Sequence, residues 1–490
     1  MNFLSGVLFR KRKRRSPIEE LERNISSHSR GKKISERFGK LSRLIKSVQS
    51  IFFKSSGTDD LTLNIMDFGV LDHSRCVNNG HMAYGVRTAR CDFCFPPARS
   101  GHRMFCDRGY VYILGGYNPG RSRGDSGLIC DMWALNIYSA RWTRVFPEGP
   151  FPSEMASFSI AQNINTNCTF AFGGTGVPFG STASNKVYAL TRGDHFSQWK
   201  WQKIETSGEA DDIPLPVYGQ SMAYIEGDGI YIVGGTTGFQ YNMKVYKLKQ
   251  PKPGPLTSNM LNMEWKWTKE CDGDGEQGRY RHEMVCVDGG FLIIGGGTPN
   301  STLDLETVLF YDISKKSYFV KHTIRDEVHG FPPSRRCHAV VRYGSLAYIL
   351  GGCNDSLVPQ GQDDLPDLGS TEVMPLGDVW NLNLDTFQWK LSPMDMVNPV
   401  FFHSATVTPT GALYTFGGCR DRNSSIRSKR LALCRLQPPS LFELAAEGMM
   451  KCPGSGRLLL NEDANLIHNG LPVFCKKIME RDGFAGGSSF

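Results

Sequence analysis

Arginine and histidine recur together in three short segments of the sequence, "PPARSGH", "GRYRH" and "PPSRRCH". A guanidinium group offers paired N–H donors in a planar fork, so several of them converging would suit a carboxylate or a phosphate. A peptide C-terminus, an acidic side chain and a phosphate all satisfy that geometry. The alternative is that these arginines have a structural role and donate hydrogen bonds to backbone carbonyls.

A histidine ends each of these three segments and a fourth stands at the corresponding point of "PVFFH", and the four are His102, His282, His338 and His403. Four histidines suggest a metal site, but repeat-equivalent residues come from different structural units and point into their own packing, so a structural role is favoured. Cys91 and Cys94 form a lone CxxC without a second pair at zinc spacing, which favours plain thiols. We therefore expect no cofactor and no metal.

The elements that must position these residues are organised by six glycine pairs. Their first glycines are separated by 58, 61, 61, 56 and 66 residues, and they are Gly115, Gly173, Gly234, Gly295, Gly351 and Gly417. Each pair ends a run of β-branched and aromatic residues, which predicts a strand followed by a sharp turn. A segment with period-2 alternation follows, such as "DMWALNI" or "DVWNLNL", and then an aromatic residue. The pattern predicts four strands per unit and six units.

This pattern resembles the kelch repeat, whose units are the blades of β-propellers. The resemblance implies an all-β, six-bladed propeller over residues 86–437, between a basic N-terminal tail (1–85) and a helical segment (438–480) followed by a flexible end (481–490). The sixth unit lacks its last strand, and residues near 86–95 are expected to supply it and close the ring. The sequence does not reveal the role of the long insertion at 353–377.

In kelch propellers the segment that enters the innermost strand of each blade lies at one mouth of the central channel. The resemblance therefore implies substrate-binding residues at that mouth, and the candidates are Arg99, Ser100, Tyr218, Arg279, Tyr280, Arg335, Arg336 and Phe401.

Charge is distributed unevenly along the chain. The whole chain carries a formal +8, but residues 1–60 alone hold 15 Lys/Arg and 6 Asp/Glu. The body is nearly neutral, which argues against nucleic-acid binding. No apolar run approaches the length of a membrane span, and the apolar start precedes its charges, the reverse of a signal peptide. We expect a protein of nucleus and cytoplasm, with free thiols among its 14 cysteines.

The basic tail contains two patterns of its own. Residues 10–15, "RKRKRR", suit a nuclear import signal or a solvated tail equally well. Apolar residues at three- and four-residue steps within 33–53 predict a basic amphipathic helix, suited to an anionic membrane surface, a partner groove or the outside of the propeller.

The segment "PPSLFELAAEGMM" predicts a short amphipathic helix after the propeller. Ser440 and Glu443 form a capping-box pattern, and one apolar stripe comprises Leu441, Leu444, Ala445 and Met449. The stripe resembles the box that binds elongin B/C, although Ala445 stands where many members of that class have cysteine. A second segment resembles the cullin-2 box, with Leu471, Pro472, Cys475 and Met479.

These resemblances imply a non-catalytic adaptor. Its propeller would bind the C-terminal tails of target proteins, and its C-terminal segment would bind elongin B/C and cullin-2 with its RING protein. Relatives have also been linked to a protein phosphatase, so the alternative is a kelch scaffold that binds a phosphatase or a cytoskeletal partner without ligase activity. A copper radical oxidase also uses kelch-like blades, but it needs clustered Tyr, Cys and His ligands and usually secretion.

Overall fold

In the computed structural model, the described residues are 69–70, 95–107, 109–120, 126–138, 140–193, 198–299, 301–354, 373–396, 398–440 and 443–444. They form six four-stranded antiparallel units around one axis, which confirms the predicted six-bladed propeller. We call these units blades 1 to 6, and the first and last strands of each blade its inner and outer strands. The inner strands of neighbouring blades contact one another in a closed circle.

In blades 1 to 3 the strands lie in chain order from the inside of the blade outward. Blade 1 comprises Arg103–Cys106, Tyr110–Leu114, Met132–Asn136 and Arg141–Val145. Blade 2 comprises Ser159–Asn163, Cys168–Phe172, Val187–Arg192 and Trp199–Lys203. Blade 3 comprises Ser221–Ile225, Gly229–Thr236, Tyr241–Lys249 and Trp265–Cys271.

Blades 4 to 6 repeat the arrangement. Blade 4 comprises Glu283–Val287, Gly290–Ile294, Thr307–Asp312 and Ser317–His322. Blade 5 comprises Ala339–Tyr343, Leu346–Leu350, Asp378–Asn383 and Trp389–Asp395. Blade 6 comprises Ser404–Val407, Ala412–Phe416, Leu431–Arg435 and Gly69–Val70.

Shorter elements lie outside this repeat. Thr206–Ser207 pairs in parallel with the outer strand of blade 3. Gly297–Thr298 pairs with Ser301–Thr302, and Cys353–Asn354 pairs with Met374–Pro375, each as a two-stranded ribbon. The 3₁₀ helices are Ile164–Thr166 and Met260–Asn262. No helix in these described ranges has the length and apolar character needed to cross a membrane.

The core lies between blades, because the outer strands of blades 1, 2 and 3 present aromatic residues to the blade before them. Trp265 and Trp267 are fully buried in blade 3, and their rings lie 5.5 and 5.6 Å from those of Phe170 and Phe172 in blade 2. The predicted aromatic position after each alternating segment thus stabilises the contact between blades through burial of large apolar surfaces.

The last strand of blade 6 comes from the N-terminal side of the chain. Gly69 and Val70 pair antiparallel with Leu433 and Ala432. The prediction that an N-terminal segment closes the ring is right, but the strand is not the segment near 86–95. A strand of two residues has no alternating pattern by which a sequence could reveal it. Residues 71–94, including Cys91 and Cys94, lie outside the described residues, as does the predicted helix at 33–53.

Candidate functional site

We call the end of the channel at which the inner strands begin the mouth. Here one residue from each blade joins a closed cycle of backbone hydrogen bonds, in which each N–H donates to the carbonyl oxygen of the preceding blade at 2.7–3.1 Å. All six residues have φ between +56° and +69°, a conformation that favours glycine. We call them the ring, and they are Gly101, Ser157, Gly219, Arg281, Cys337 and Phe402.

Arg281 lies across the centre of the ring. Its Nη2 donates to Ser157 Oγ in blade 2, and its Cζ lies 4.7 Å from the centre of the Phe402 ring in blade 6. Within the described ranges no carboxylate forms an ion pair with Arg281, and its buried Nε has no hydrogen-bond partner there. Burial lowers the pKa of Arg281, because a charged guanidinium is costly to remove from water.

A second charged layer spans the channel just below the ring. Arg103 of blade 1 and Glu283 of blade 4 form a 2.8 Å ion pair, and these two blades face each other across the axis. Arg103 Nε also donates to Phe158 O at 2.8 Å. Arg281, Arg103 and Glu283 form what we call the floor, and they close the channel with two positive groups and one negative group.

Aromatic side chains surround the mouth above this floor. Tyr117 of blade 1 lies edge-on to Phe179 of blade 2, with ring centres 4.9 Å apart. In blades 3 and 4, the centre of the Tyr280 side-chain ring lies 6.4 Å from that of Tyr218 and 5.4 Å from that of Tyr241. Burial raises the pKa of all three of these tyrosines, so their hydroxyl groups stay protonated and can donate hydrogen bonds.

Arg99 and Arg335 have the structural role that was the alternative in the sequence. Both side chains are fully buried, and each guanidinium forms two hydrogen bonds to one carboxylate, that of Asp131 or Asp378, at 2.6–3.2 Å. Each also donates to a backbone carbonyl of a glycine pair, Gly115 O at 2.8 Å or Gly351 O at 3.1 Å. Their donors are used within the blade, so we remove both residues from the candidate site.

Arg279 occupies the same position in blade 4 and belongs with these two residues. It is 8% exposed and donates to Gln277 O and Gly295 O, both at 3.4 Å. Burial lowers its pKa to about 10, since no described carboxylate takes the place that Asp131 has beside Arg99.

The other predicted residues lie at or just beneath the mouth. Ser100 accepts a hydrogen bond from Arg427 Nε at 3.1 Å, and Arg336 Nη2 donates to Pro299 O at 3.3 Å. Tyr218 and Tyr280 are half-buried, whereas Phe401 is buried in a cluster of apolar side chains. Tyr218 and Tyr280 are therefore the predicted residues that are partly exposed at the mouth, whereas Ser100, Arg336 and Phe401 are buried beneath it.

The four histidines lie in the contacts between blades. Each imidazole packs against the first glycine of the preceding blade's glycine pair. A Cβ atom added to that glycine would lie 2.6–3.1 Å from the imidazole Cε1. The pairs are His102–Gly417, His282–Gly234, His338–Gly295 and His403–Gly351. Burial lowers the pKa of all four, to about 3 for His282 and about 4 for His403. This packing confirms the structural interpretation. Within the described ranges no cluster of His, Cys, Asp and Glu could hold a metal ion.

Sequence reasoning missed Arg281, whose side chain crosses the channel axis in the floor. "GRYRH" contains two arginines, and the repeat pattern favours Arg279 because it matches Arg99 and Arg335. The signal that could have found it is the ring position, which lies directly before the histidine in four of the blades. The other five blades have Gly, Ser, Gly, Cys and Phe there, so the single arginine is exceptional.

The predicted capping box forms after the propeller. Ser440 Oγ accepts a hydrogen bond from Glu443 N at 3.2 Å, and Glu443 Oε2 accepts one from Ser440 N at 2.8 Å. Leu444 N donates to Ser440 O at 3.0 Å, as in the first turn of a helix. Glu443 is buried and lies 3.5 Å from Arg435 of blade 6, so the helix start is attached to that blade.

Comparison with known proteins agrees with this architecture. Residues 86–359 match the family model "Attractin/LZTR1 beta-propeller". Kelch domain-containing protein 10 from Rattus norvegicus is 33% identical over 387 residues, which cover 77% of this chain and 84% of that protein. The chain belongs to the kelch domain-containing protein 10 family. The Drosophila melanogaster homologue is 29% identical over 410 residues, or 79% of this chain and 62% of that protein.

Membership of this family confirms the kelch resemblance seen in the glycine pairs. A more distant relative, kelch domain-containing protein 2 from Bos taurus, is 22% identical over 72% of the chain. The predicted partner-binding stripe is described only at Leu444. The remaining predicted residues lie outside the described residues, and they are Leu441, Ala445, Met449, Leu471, Pro472, Cys475 and Met479.

Proposed function

We propose that this protein is a non-catalytic substrate-recognition subunit of a cullin-2–elongin B/C RING ubiquitin ligase, acting in nucleus and cytoplasm. The propeller mouth would bind the C-terminal tails of target proteins, which are then ubiquitinated and degraded. The observation that carries the proposal is the buried guanidinium of Arg281, which has no carboxylate partner among the described residues.

A buried charge without a counter-charge is unfavourable, and a ligand carboxylate would compensate it. The floor carries two guanidinium groups and one carboxylate, so an anion gains from binding there. Tyrosine hydroxyl groups around the mouth can donate further hydrogen bonds to the same anion.

The closed floor favours a chain end over an internal segment. Because Arg281 and the Arg103–Glu283 pair cross the channel, an extended peptide that enters the mouth must stop there. A terminal carboxylate would then lie where the positive charge is greatest. An acidic side chain in the middle of a segment would have to bend the chain back out of the mouth.

The C-terminal segment supports the second half of the proposal. Its helix begins at Ser440, beside the end of the third strand of blade 6, Leu431–Arg435. Since the third strand of each blade runs away from the mouth, this start lies at the opposite face of the propeller. A partner bound to the stripe that includes Leu441 and Leu444 would leave the mouth open.

Two matched variants test the two halves separately. Leu441→Asp should abolish co-purification with elongin B/C, because a charge in an apolar contact costs several kcal/mol, and it should leave peptide binding intact. Arg281→Gly should weaken peptide binding and leave co-purification with elongin B/C intact. Phe146→Asp, at a residue 71% exposed, is the control for adding a charge to an apolar surface residue and should change neither. Retention of elongin B/C by Leu441→Asp would refute the ligase role.

A further inference from the structure

The outer edge of blade 4 is uncovered among the described residues, as are those of blades 1 and 6. Its outer strand, Ser317–His322, pairs with Thr307–Asp312 on the inner side, and no described strand covers its other side. The outer strand of blade 3 is covered by Thr206–Ser207. In blades 2 and 5 a parallel bridge lies at the start of the outer strand, in the pairs Glu148–Lys200 and Ile324–Gln388.

This uncovered edge is also apolar. Phe319 is 37% exposed and Val320 is 54% exposed, and they are the large apolar side chains exposed on the outer strands of blades 1 to 5. Ile324 and Val328, 53% and 83% exposed, continue the surface toward blade 5. Native proteins usually protect such an edge, because its free backbone groups and apolar side chains can pair with another strand.

The same edge is positively charged. Residues 315–325 contain four Lys/Arg and no Asp/Glu. Lys316 pairs with Glu270 at 2.7 Å, whereas Lys315 and Lys321 lie over the rings of Phe319 and Phe310 at 4.6 and 5.5 Å. Lys315 is also 3.6 Å from Asp312, and Lys321 forms no ion pair with a described residue. A second copy of this edge would bring like charges together, which disfavours pairing between two copies.

We propose that the outer edge of blade 4 is a strand-addition site for an extended segment of a partner protein in which acidic and β-branched residues alternate. Side chains alternate between the two faces of a strand, so Phe319 and Lys321 share one face while Tyr318 and Val320 share the other. Acidic residues of the added strand would lie beside the lysines, and apolar residues beside Val320. Backbone hydrogen bonds supply affinity in this mode, and the alternating side chains supply selectivity. The site is separate from the mouth and does not depend on its proposed function.

The test uses the full chain and the capped peptide acetyl-(Glu-Val)₃-amide, which has no free C-terminal carboxylate for the mouth. Hydrogen exchange followed by mass spectrometry should show slower exchange in residues 317–322 when the peptide is added. Val320→Glu should weaken binding, measured by fluorescence anisotropy, by roughly tenfold or more. Thr143→Glu, at an exposed position of the outer strand of blade 1, is the matched control and should bind as the unmodified protein does.

Other results would overturn the proposal. The proposal is wrong if the acidic peptide does not bind saturably or if it slows hydrogen exchange at another edge. It is also wrong if Thr143→Glu loses as much affinity as Val320→Glu, or if acetyl-(Lys-Val)₃-amide binds equally well. Sedimentation that shows a dimer abolished by Val320→Glu would assign the edge to a second copy instead. Thermal unfolding of both variants checks that a loss of binding reflects the edge rather than the fold.

Discussion

Arg99 and Arg281 come from different blades and occupy positions that are two residues apart in the repeat. Arg99 lies within a blade and Arg281 lies on the channel axis, and their surroundings differ. Arg99 is fully buried and forms two hydrogen bonds to Asp131, so both charges are compensated within blade 1. Arg281 is also buried, but it contacts a hydroxyl group and an aromatic ring. A missing counter-charge alone does not define a ligand site, because Arg279 also lacks one and donates to backbone carbonyls within blade 4. Arg281 combines the missing counter-charge with a position on the channel axis, and on this combination we base the proposal that it binds a ligand.

The largest expected effect is on stability, in Arg99→Ala. The change leaves the Asp131 carboxylate, 8% exposed, without its ion pair, so the free energy of unfolding should fall by about 3–5 kcal/mol. Urea denaturation measures it, and Arg144→Ala, at an exposed position, should stay within about 0.5 kcal/mol. A loss below about 1 kcal/mol in Arg99→Ala would contradict the structural role.

Gly417→Ala tests the packing beside Arg99. An added Cβ would lie 2.6 Å from both Arg99 O and His102 Cε1, and φ is +72°. We expect a loss of about 2–4 kcal/mol in urea denaturation, from backbone strain and overpacking together. Gly254→Ala separates the two causes, because its φ is +93° and an added Cβ would meet no atom within 4 Å. Equal losses in both variants would show that packing against His102 contributes nothing.

The buried histidines should make the propeller less stable in acid. The pKa of His282 is about 3 in the folded protein, and the ordinary value is 6.5. Between these values the unfolded chain binds more protons, so stability is full above pH 6.5 and falls as the pH decreases toward 3. His282→Gln should reduce this slope by up to about 1.4 kcal/mol per pH unit, measured by urea denaturation at pH 7 and pH 5. Gln220 occupies the equivalent position in blade 3, so the replacement suits the fold. An unchanged slope would exclude His282 as a cause.

The smallest expected effect on the free energy of unfolding is that of replacing Arg281. Arg281→Gly should change the free energy of unfolding by no more than about 1 kcal/mol, because it removes an uncompensated charge and relieves a positive φ. Glycine already occupies the same ring position in blades 1 and 3 as Gly101 and Gly219. A loss as large as that of Arg99→Ala would make Arg281 a structural residue too.

Much of the fold could be predicted because the propeller repeats. The glycine pairs, the alternating segments and the aromatic position are each set by local packing that recurs in every blade, so one pattern was seen six times. The strand Gly69–Val70 could not be predicted, since it is short and its partner is more than 360 residues away in the sequence. Ser440 and Glu443 were predicted because a capping box is a local contact.

The candidate site was predicted less well because it depends on differences between repeats. Arg99, Arg279 and Arg335 share one position, which made them look like a set, and that same regularity reflects their role inside the blades. The carboxylates that pair with Arg99 and Arg335 lie 32 and 43 residues away, so sequence spacing gave no sign of them. Arg281 is the one arginine at its own repeat position, so a pattern that recurs in every blade could not reveal it.

The most direct test of the central claim is the binding of two peptides that end in glycine and differ only in having a free carboxylate or an amide. Calorimetry on the full chain should show that the free-carboxylate peptide binds more tightly, and that Arg281→Gly weakens it by roughly 10- to 150-fold, the value of a charge-assisted hydrogen bond. The same variant should leave the weak binding of the amidated peptide unchanged. Equal binding of the two peptides by the unmodified protein would contradict the account.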